Sequence, residues 1–285
     1  MISKFRIGVL VIILNFFASV ATTWGQVENP SLLQMAVPSL NIAPDARGGG
    51  MGDMGAATLP DINSQYWNAA KYAFMGSKAG VSLSYTPWLR KLVNDVALVN
   101  MTGYYKLGNS DLQAISASLR YFSLGEVNIW ENIGDVPYGL NPYEMAFDVA
   151  YSRKLSESYS MAVTLRYIRS DMGTDQNEES NAGNAFAADI SGYLEKYVLM
   201  GNAEALWSFG FNLSNIGSKI SYDGGNTNQY LPAKLTLGTG LLYPIDDYNQ
   251  IGIYLDLNKY MVPYAPQKEE GETDADYQTR VDDYK

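Results

Sequence analysis

The chain has 285 residues, of which 47% are hydrophobic and 18% charged, and 20 basic against 30 acidic residues give a formal charge of −10. Nucleic acid binding needs concentrated Lys and Arg, so this acidic balance argues against a nucleic acid partner. Cysteine and histidine are both absent, which excludes disulfides, thiolate metal sites, cysteine nucleophiles and Ser-His catalysis.

Residues 1–25 have the pattern of a secretory signal peptide. A basic start is followed by an apolar stretch over residues 7–20, and small residues precede a cleavage site before Gln26. Cleavage after Ala21 fits the same pattern. The alternative is an uncleaved membrane anchor, although the apolar stretch is short for a span. We therefore expect an exported protein.

The next segment, residues 26–78, lacks the alternation of a strand and is rich in Gly, Pro and Asn. Its glycines at 50, 52 and 55 have the spacing of a dinucleotide-binding fingerprint. That fingerprint needs a buried strand before it and a helix after it, whereas Pro44 precedes and Pro60 soon follows. We therefore predict no cofactor here.

We interpret residues 26–78 as irregular backbone that plugs the lumen of a barrel, where glycine permits close approach. Irregular backbone is tolerated at membrane depth only when protein or water surrounds it. Asp45, Arg47 and Asp53 are expected to pair with charged residues of the lumen.

From residue 79 onward, apolar and polar residues alternate in about nine segments of about ten residues each. The segments are 79–87, 95–105, 111–122, 143–152, 159–167, 186–194, 205–214, 233–243 and 251–258. They are longer than the roughly five or six residues of common strands and match the roughly nine to eleven that cross a bilayer. Aromatic residues stand at the ends of the apolar faces, as at Tyr143 and Tyr151, where membrane barrels carry aromatic girdles.

The opposite faces of these segments mix small residues with charges, as a wet or plugged lumen requires. The charges are Arg120, Glu144, Asp148, Arg166 and Lys234. We predict an all-β fold, a transmembrane antiparallel β-barrel over residues 79–285; a soluble two-sheet sandwich is the alternative. Such a barrel would place the protein in the outer membrane.

Short turns alternate with longer loops along the chain, which is the pattern of outer-membrane barrels. Such barrels have an even number of strands, whereas nine are predicted here. We therefore expect the barrel to be C-terminally incomplete in this chain; the alternative is a miscounted strand.

The long loop over residues 123–142 offers Trp130, Pro137 and Tyr138 as candidate anchors for a partner, since large rigid side chains dominate many interfaces. Packing over the barrel mouth explains them equally well. The acidic residues at 171, 175, 178 and 179 lack the spacing of a calcium loop, and we interpret them as solvated. No pair of nucleophile and base built from Asp, Lys or Tyr stands out, so we predict no catalytic residues, metal site or enzyme activity.

Several motifs resemble the PorV family of the Bacteroidetes type IX secretion system, whose barrels are similar to the FadL-like fatty-acid transporters. The motifs are Ala43-Pro44-Asp45-Ala46-Arg47 with Gly49, Met51-Gly52-Asp53, Trp67-Asn68, Ser214-Asn215-Ile216-Gly217 and Asp256-Leu257-Asn258-Lys259. The chain departs from the family where Asn68-Ala69-Ala70 replaces Asn-Pro-Ala. The resemblance implies a FadL-like barrel of about fourteen strands.

The resemblance also implies a transport role without catalysis. A protein of this kind receives cargo with a C-terminal signal from the translocon barrel and carries it to a sortase-like attachment complex at the cell surface. Its partners would be those two assemblies, the cargo and outer-membrane lipid. The alternative is a FadL-like transporter of fatty acids or other hydrophobic solutes.

Overall fold

The computed structural model describes residues 34–88, 90–91, 95–108, 111–129, 137–173, 182–201, 203–223, 228–269 and 271–284. They divide into a large unit, residues 34–263, and a small unit, residues 264–284. The signal peptide expected at residues 1–25 lies outside the described residues.

Antiparallel strands make up most of the large unit. They are β1 Ala79–Pro87, β2 Val96–Leu107, β3 Gln113–Leu124, β4 Val127–Ile129, β5 Tyr138–Leu140, β6 Tyr143–Lys154, β7 Tyr159–Asp171, β8 Gly183–Met200, β9 Ala203–Gly217, β10 Lys234–Pro244 and β11 Gln250–Tyr260. Among the described residues, nine of them form one sheet in the order β1-β2-β3-β6-β7-β8-β9-β10-β11, and β4 pairs with β5 in a separate hairpin. The predicted all-β class is confirmed, and each of the nine predicted segments coincides with a strand of the main sheet.

Three details differ from the sequence-based expectations. The interval between the predicted segments 186–194 and 205–214 is mostly strand, because β8 continues until Met200 pairs with Ala203, and Gly201 with φ of +71° permits the reversal between them. The long loop contains the hairpin β4–β5, which its irregular sequence did not indicate. After the last predicted segment, 251–258, the chain forms a helix, α3 Asp274–Tyr284, which was not predicted.

The two faces of the main sheet carry opposite kinds of side chain, and the apolar face is the exposed one. On β6, Phe147 and Val149 are each 46% exposed, whereas Glu144 and Asp148 on the other face are buried. A soluble sandwich would bury the apolar side chains between two sheets, so this alternative does not fit. We call the exposed apolar side the outer face and the buried polar side the inner face.

Residues 34–78, hereafter the inner segment, cover the inner face. They form four short helices: a 3-10 helix Pro38–Asn41, α1 Ala46–Gly50, α2 Ser64–Trp67 and a second 3-10 helix Ala69–Phe74. Tyr72 is fully buried and stacks on Tyr104 of β2 with ring centroids 4.9 Å apart. Small inward residues such as Ala150 and Ala162 make room for this segment in the same cluster.

The sheet curves around the inner segment. Ser84 on β1 donates a hydrogen bond to the carbonyl of Pro44, and Asp256 on β11 accepts one from the nitrogen of Gly55. In a flat sheet these two strands would lie roughly 38 Å apart, eight spacings of about 4.8 Å. Pro44 directly precedes Asp45, which bonds to Trp67, and Gly55 lies against the ring of the same tryptophan, so the sheet must bend strongly. β1 and β11 do not pair with each other in the described part of the chain, and the sheet is open.

The small unit is a polar helical segment. Arg280 on α3 forms an ion pair with Glu272 at 2.7 Å. Within the described residues, no helix combines the length and apolar character that a bilayer crossing would need.

Candidate functional site: the contact between the inner segment and the sheet

The Asp45 carboxylate organises the start of the motif at residues 43–55. Oδ2 accepts a hydrogen bond from the backbone nitrogen of Gly48 at 2.8 Å, which caps helix α1. Oδ1 accepts a second bond from Nε1 of Trp67 at 2.7 Å. Asp45 is buried, so these bonds replace the water that its charge loses.

The indole ring of Trp67 lies between two glycines of the same motif. A Cβ atom at Gly48 would stand 2.3 Å from the ring, and one at Gly55 would stand 2.2 Å from it. No other residue type fits at either place without moving the ring. Between them, Gly52 with φ of +79° and Asp53 with φ of +59° turn the chain after α1.

Asn68 ties the inner segment to the middle of the sheet. Its Nδ2 donates to the carbonyl of Ala56 and to that of Gly192 on β8, both at 2.9 Å, and its Oδ1 accepts from the nitrogen of Ala70. All three polar positions of this fully buried amide are used. The side chain therefore holds two parts of the inner segment against one strand.

Strands β9 and β11 also bond to the inner segment. Asp256 Oδ2 accepts hydrogen bonds from the nitrogens of Gly55 at 2.8 Å and Ala56 at 3.0 Å. Asn212 on β9 donates to the carbonyl of Trp67 at 3.0 Å. Motifs far apart in the sequence, Asp45–Arg47, Trp67–Asn68 and Asp256, thus converge on one contact.

Lys71 is the most buried cation of the inner segment. Its Nζ donates to the carbonyl of Gly55 at 2.8 Å and to Oγ1 of Thr58 at 3.1 Å. Complete burial lowers the pKa of Lys71 to about 8, against the opposing effect of Asp61. Its burial could not be predicted from the sequence, because a lysine between two alanines and a tyrosine resembles an ordinary surface lysine.

A buried ionic cluster joins β6, β7 and β8 beneath the inner segment. Arg166 Nε lies 2.6 Å from Oδ1 of Asp148, and Arg166 Nη2 lies 2.9 Å from Oδ2 of Asp189. Asn215 adopts φ of +59°, accepts a hydrogen bond from Arg166 and donates its backbone nitrogen to Asp189 at 2.7 Å. The Ser-Asn-Ile-Gly motif of β9 therefore serves this cluster.

A second pair of charges binds the backbone of the inner segment. The guanidinium group of Arg120 donates to the carbonyl oxygens of Ser39 at 2.8 Å and Ile42 at 3.1 Å and stacks 4.6 Å from the Tyr66 ring. Glu144 Oε2 accepts a hydrogen bond from the nitrogen of Ser39 at 3.0 Å. Arg120 and Glu144 thus bind peptide groups of the inner segment rather than opposite charges.

Asp45, Arg47 and Asp53 were expected to pair with charged residues of the sheet. Asp45 and Arg47 do not. Asp45 bonds to Gly48 and Trp67, and Arg47 forms its ion pair with Asp61, all within the inner segment. Partners that are close in the sequence can meet without any alignment between the inner segment and the strands. The carboxylate of Asp45 can therefore cap helix α1 locally. Asp53 instead faces the sheet and lines a small polar cavity together with Lys234 and Asp256.

The remaining predicted positions of the motif are less constrained. Gly49 donates its nitrogen to the carbonyl of Asp45 at 3.1 Å, and the space next to it would accommodate a Cβ atom. Met51 ends α1 and is half-buried. Gly48, Gly55, Lys71 and Asp256 carry tighter contacts than these two residues do.

The candidate partner loop is only partly described. Trp130 lies outside the described residues, whereas Pro137 is exposed and Tyr138 begins β5. The acidic residues at 175, 178 and 179, in the separate loop after β7, also lie outside the described residues. Asp171 ends β7, and its carboxylate accepts a hydrogen bond from the nitrogen of Gly173 at 3.0 Å. A role of the loop over residues 123–142 in binding stays a prediction.

The fold and the site together define an all-β protein whose open, curved sheet has an exposed apolar outer face and a polar inner face covered by residues 34–78. A family model described as type IX secretion system protein PorV matches residues 26–268. The chain belongs to the PorV family, as its motifs suggested. No curated protein matches the chain. Membership implies a component of the type IX secretion system in the outer membrane, and this family consists of secretion components rather than known enzymes.

Proposed function

We propose that the main sheet is the wall of a transmembrane β-barrel in the outer membrane. Residues 1–25 direct export, residues 26–78 form a plug and the barrel begins at residue 79. The exposure of the apolar face carries this proposal: Val163 and Leu165 on β7 are 51% and 66% exposed, while Thr164 and Arg166 between them are buried. Hydrocarbon is the solvent that favours such an arrangement. The edges of β1 and β11 must then be paired in the membrane, because unpaired backbone groups are costly there.

The protein acts as a fixed platform that receives cargo with a C-terminal signal from the translocon barrel and carries it to a sortase-like attachment complex. Family membership supports this role. The anchoring of the inner segment supports a fixed rather than a moving plug, since strands from β1 to β11 bond to it. A plug held in this way leaves the exposed loops as the surface for partners.

The alternative is a FadL-like transporter of fatty acids or other hydrophobic solutes. Two interior cavities argue against it. The cavity beside Asp53 holds about 20 Å³ and the one beside Arg120 about 10 Å³, far below the roughly 300 Å³ of a small-molecule site. Both are lined largely by polar residues rather than by the apolar side chains that a lipid requires.

Deletion of the gene, followed by assay of signal-bearing proteins at the cell surface, tests the proposed function. We expect these proteins to be lost from the surface and the translocon and the sortase-like enzyme to be recovered with the tagged protein from detergent extracts. Normal cargo secretion in the deletion strain, together with recovery of bound fatty acid alone, would favour the transporter instead.

Variants of the long loop test the docking role of its aromatic residues. Complementation with Trp130→Ala and Tyr138→Ala is expected to reduce surface cargo while leaving the amount of the protein in the outer membrane unchanged. Tyr248→Ala is the matched control, because Tyr248 is 95% exposed in the short β10–β11 turn. Equal secretion by all three variants would contradict a docking role for this loop.

A further inference from the structure

A groove crosses the outer face over β1, β2, β3 and β6. At one level of the register the outward residues are Val81, Gly103, Ala117 and Val149. The two central residues are small, so the face is indented between its neighbours. The groove has a volume of about 440 Å³, and its walls include Met101, Ile115, Leu119 and Phe147.

Aromatic residues and cations lie at one end of this groove. Tyr105 and Tyr151 are outward residues at the next level along the strands, and Arg153 follows Tyr151 as an exposed outward residue. Lys78 lies just before β1, with its Nζ 5.8 Å from the centre of the Tyr105 ring.

Exposed cations stand at this end of the groove. The carboxylate of Asp111 lies 3.9 Å from Nζ of Lys78 and 3.8 Å from Nζ of Lys106. Lys106 is buried and donates to the carbonyl of Met75, so Lys78 and Arg153 provide the exposed positive charge at this end. A ligand with an apolar chain and an anionic head would match both the groove and its end.

We propose that the groove binds one acyl chain of an outer-membrane phospholipid, with the lipid phosphate held between Lys78 and Arg153. This inference rests on the membrane placement proposed above. The phosphate provides the selectivity, because lipid chains are as apolar as the groove and gain little by exchanging places there. Arg and Lys bind phosphate oxygens through strong charge-assisted hydrogen bonds. The aromatic residues between chain and head occupy the depth where amphipathic rings collect.

The protein extracted from the outer membrane in a mild detergent provides the test. Palmitoyl-oleoyl-phosphatidylglycerol is titrated into it, and bound lipid is counted by native mass spectrometry. A diacylglycerol with the same chains shows what the phosphate contributes. Gly103→Leu with Ala117→Leu fills the groove, and Lys78→Gln and Arg153→Gln remove the charges. Val163→Leu and Arg169→Gln are matched controls, on the outer face of β7 and at the opposite ends of the strands.

We expect one tightly bound phosphatidylglycerol, no comparable binding of diacylglycerol and about fivefold weaker binding for each removed charge. The filled groove should lose the lipid, and both controls should retain it. Equal binding by all variants, or equal binding of diacylglycerol, would overturn the inference. So would loss of the translocon from the filled variant with its lipid retained, because a protein would then cover the groove.

Fractionation separates this inference from the proposed function. Absence of the unmodified protein from the outer membrane would overturn the proposed membrane placement itself. Presence there, with lipid binding that ignores the groove, would overturn the phospholipid site alone.

Discussion

Asp256 on β11 accepts a hydrogen bond from Gly55, with 2.8 Å between Oδ2 and the backbone nitrogen, although the two residues are 201 positions apart in the sequence. The same oxygen accepts from Ala56 at 3.0 Å. One carboxylate at an edge of the sheet thereby fixes the glycine that lies against Trp67. The inner segment and the wall are coupled at this point.

Asp256→Ala leaves the nitrogens of Gly55 and Ala56 without their acceptor. We expect a loss of about 1–3 kcal/mol in the free energy of unfolding, because each unsatisfied buried donor is costly. Thermal unfolding in detergent, followed by tryptophan fluorescence, measures it. Asp247→Ala in the exposed β10–β11 turn is the control and should change the stability by less than about 0.5 kcal/mol. Equal effects of the two substitutions would contradict the coupling.

Gly55→Ala tests the cradle of Trp67. The added Cβ would lie 2.2 Å from the ring, and we expect a loss of about 1–3 kcal/mol or more from overpacking. At Gly50 in the same motif no atom lies within 4 Å of an added Cβ. Gly50→Ala should therefore be neutral or stabilise by about 0.5–1 kcal/mol. Thermal unfolding of the two variants and the wild type measures the difference. A Gly55→Ala variant as stable as the wild type would contradict the close packing of Gly55 against Trp67.

Arg166→Met leaves the carboxylates of Asp148 and Asp189 buried without their cation. Breaking a buried ion pair in this way typically costs about 3–5 kcal/mol. The triple variant that adds Asp148→Asn and Asp189→Asn should recover much of that loss, since no charge remains uncompensated. Heat-induced shifts in gel mobility measure both variants. A triple variant less stable than the single one would show that the charges themselves are favourable.

Lys71 gives the stability a dependence on pH. Its pKa in the folded protein is about 8 against 10.5 when unfolded, so between these values the unfolded chain binds more protons. Stability relative to Lys71→Met should therefore rise with pH through this window, with a slope of up to about 1.4 kcal/mol per pH unit. Denaturant unfolding at several pH values tests it. Parallel profiles for wild type and Lys71→Met would refute the effect.

The strands could be predicted from the sequence because alternation is a local property. The segment 143–152 became β6 Tyr143–Lys154 with the expected faces. A reversal between the segments 186–194 and 205–214 was predicted, but not the extension of β8 to Met200, because a tight turn needs little sequence between two strands. The hairpin β4–β5 and helix α3 were missed because short or polar elements lack a strong periodic signal.

The site was predictable only in part. The motif at residues 43–55 and Trp67 could be recognised as a unit, and Arg166 and Asp148 as inward charges. The partners of Asp256 and the left-handed backbone of Asn215 depend on the register of strands that are distant in the sequence. Side-chain composition does not specify that register, so those contacts required the structure.

Spin labels on single cysteines test most directly whether the outer face meets hydrocarbon. The chain contains no native cysteine, so labels at positions 147, 149 and 163 can be introduced one at a time. In bilayers we expect these labels to be relaxed by oxygen and shielded from a water-soluble nickel complex, and a label at position 248 in the exposed turn to show the reverse. Labels at 147, 149 and 163 that are freely relaxed by the nickel complex would contradict a membrane-embedded outer face.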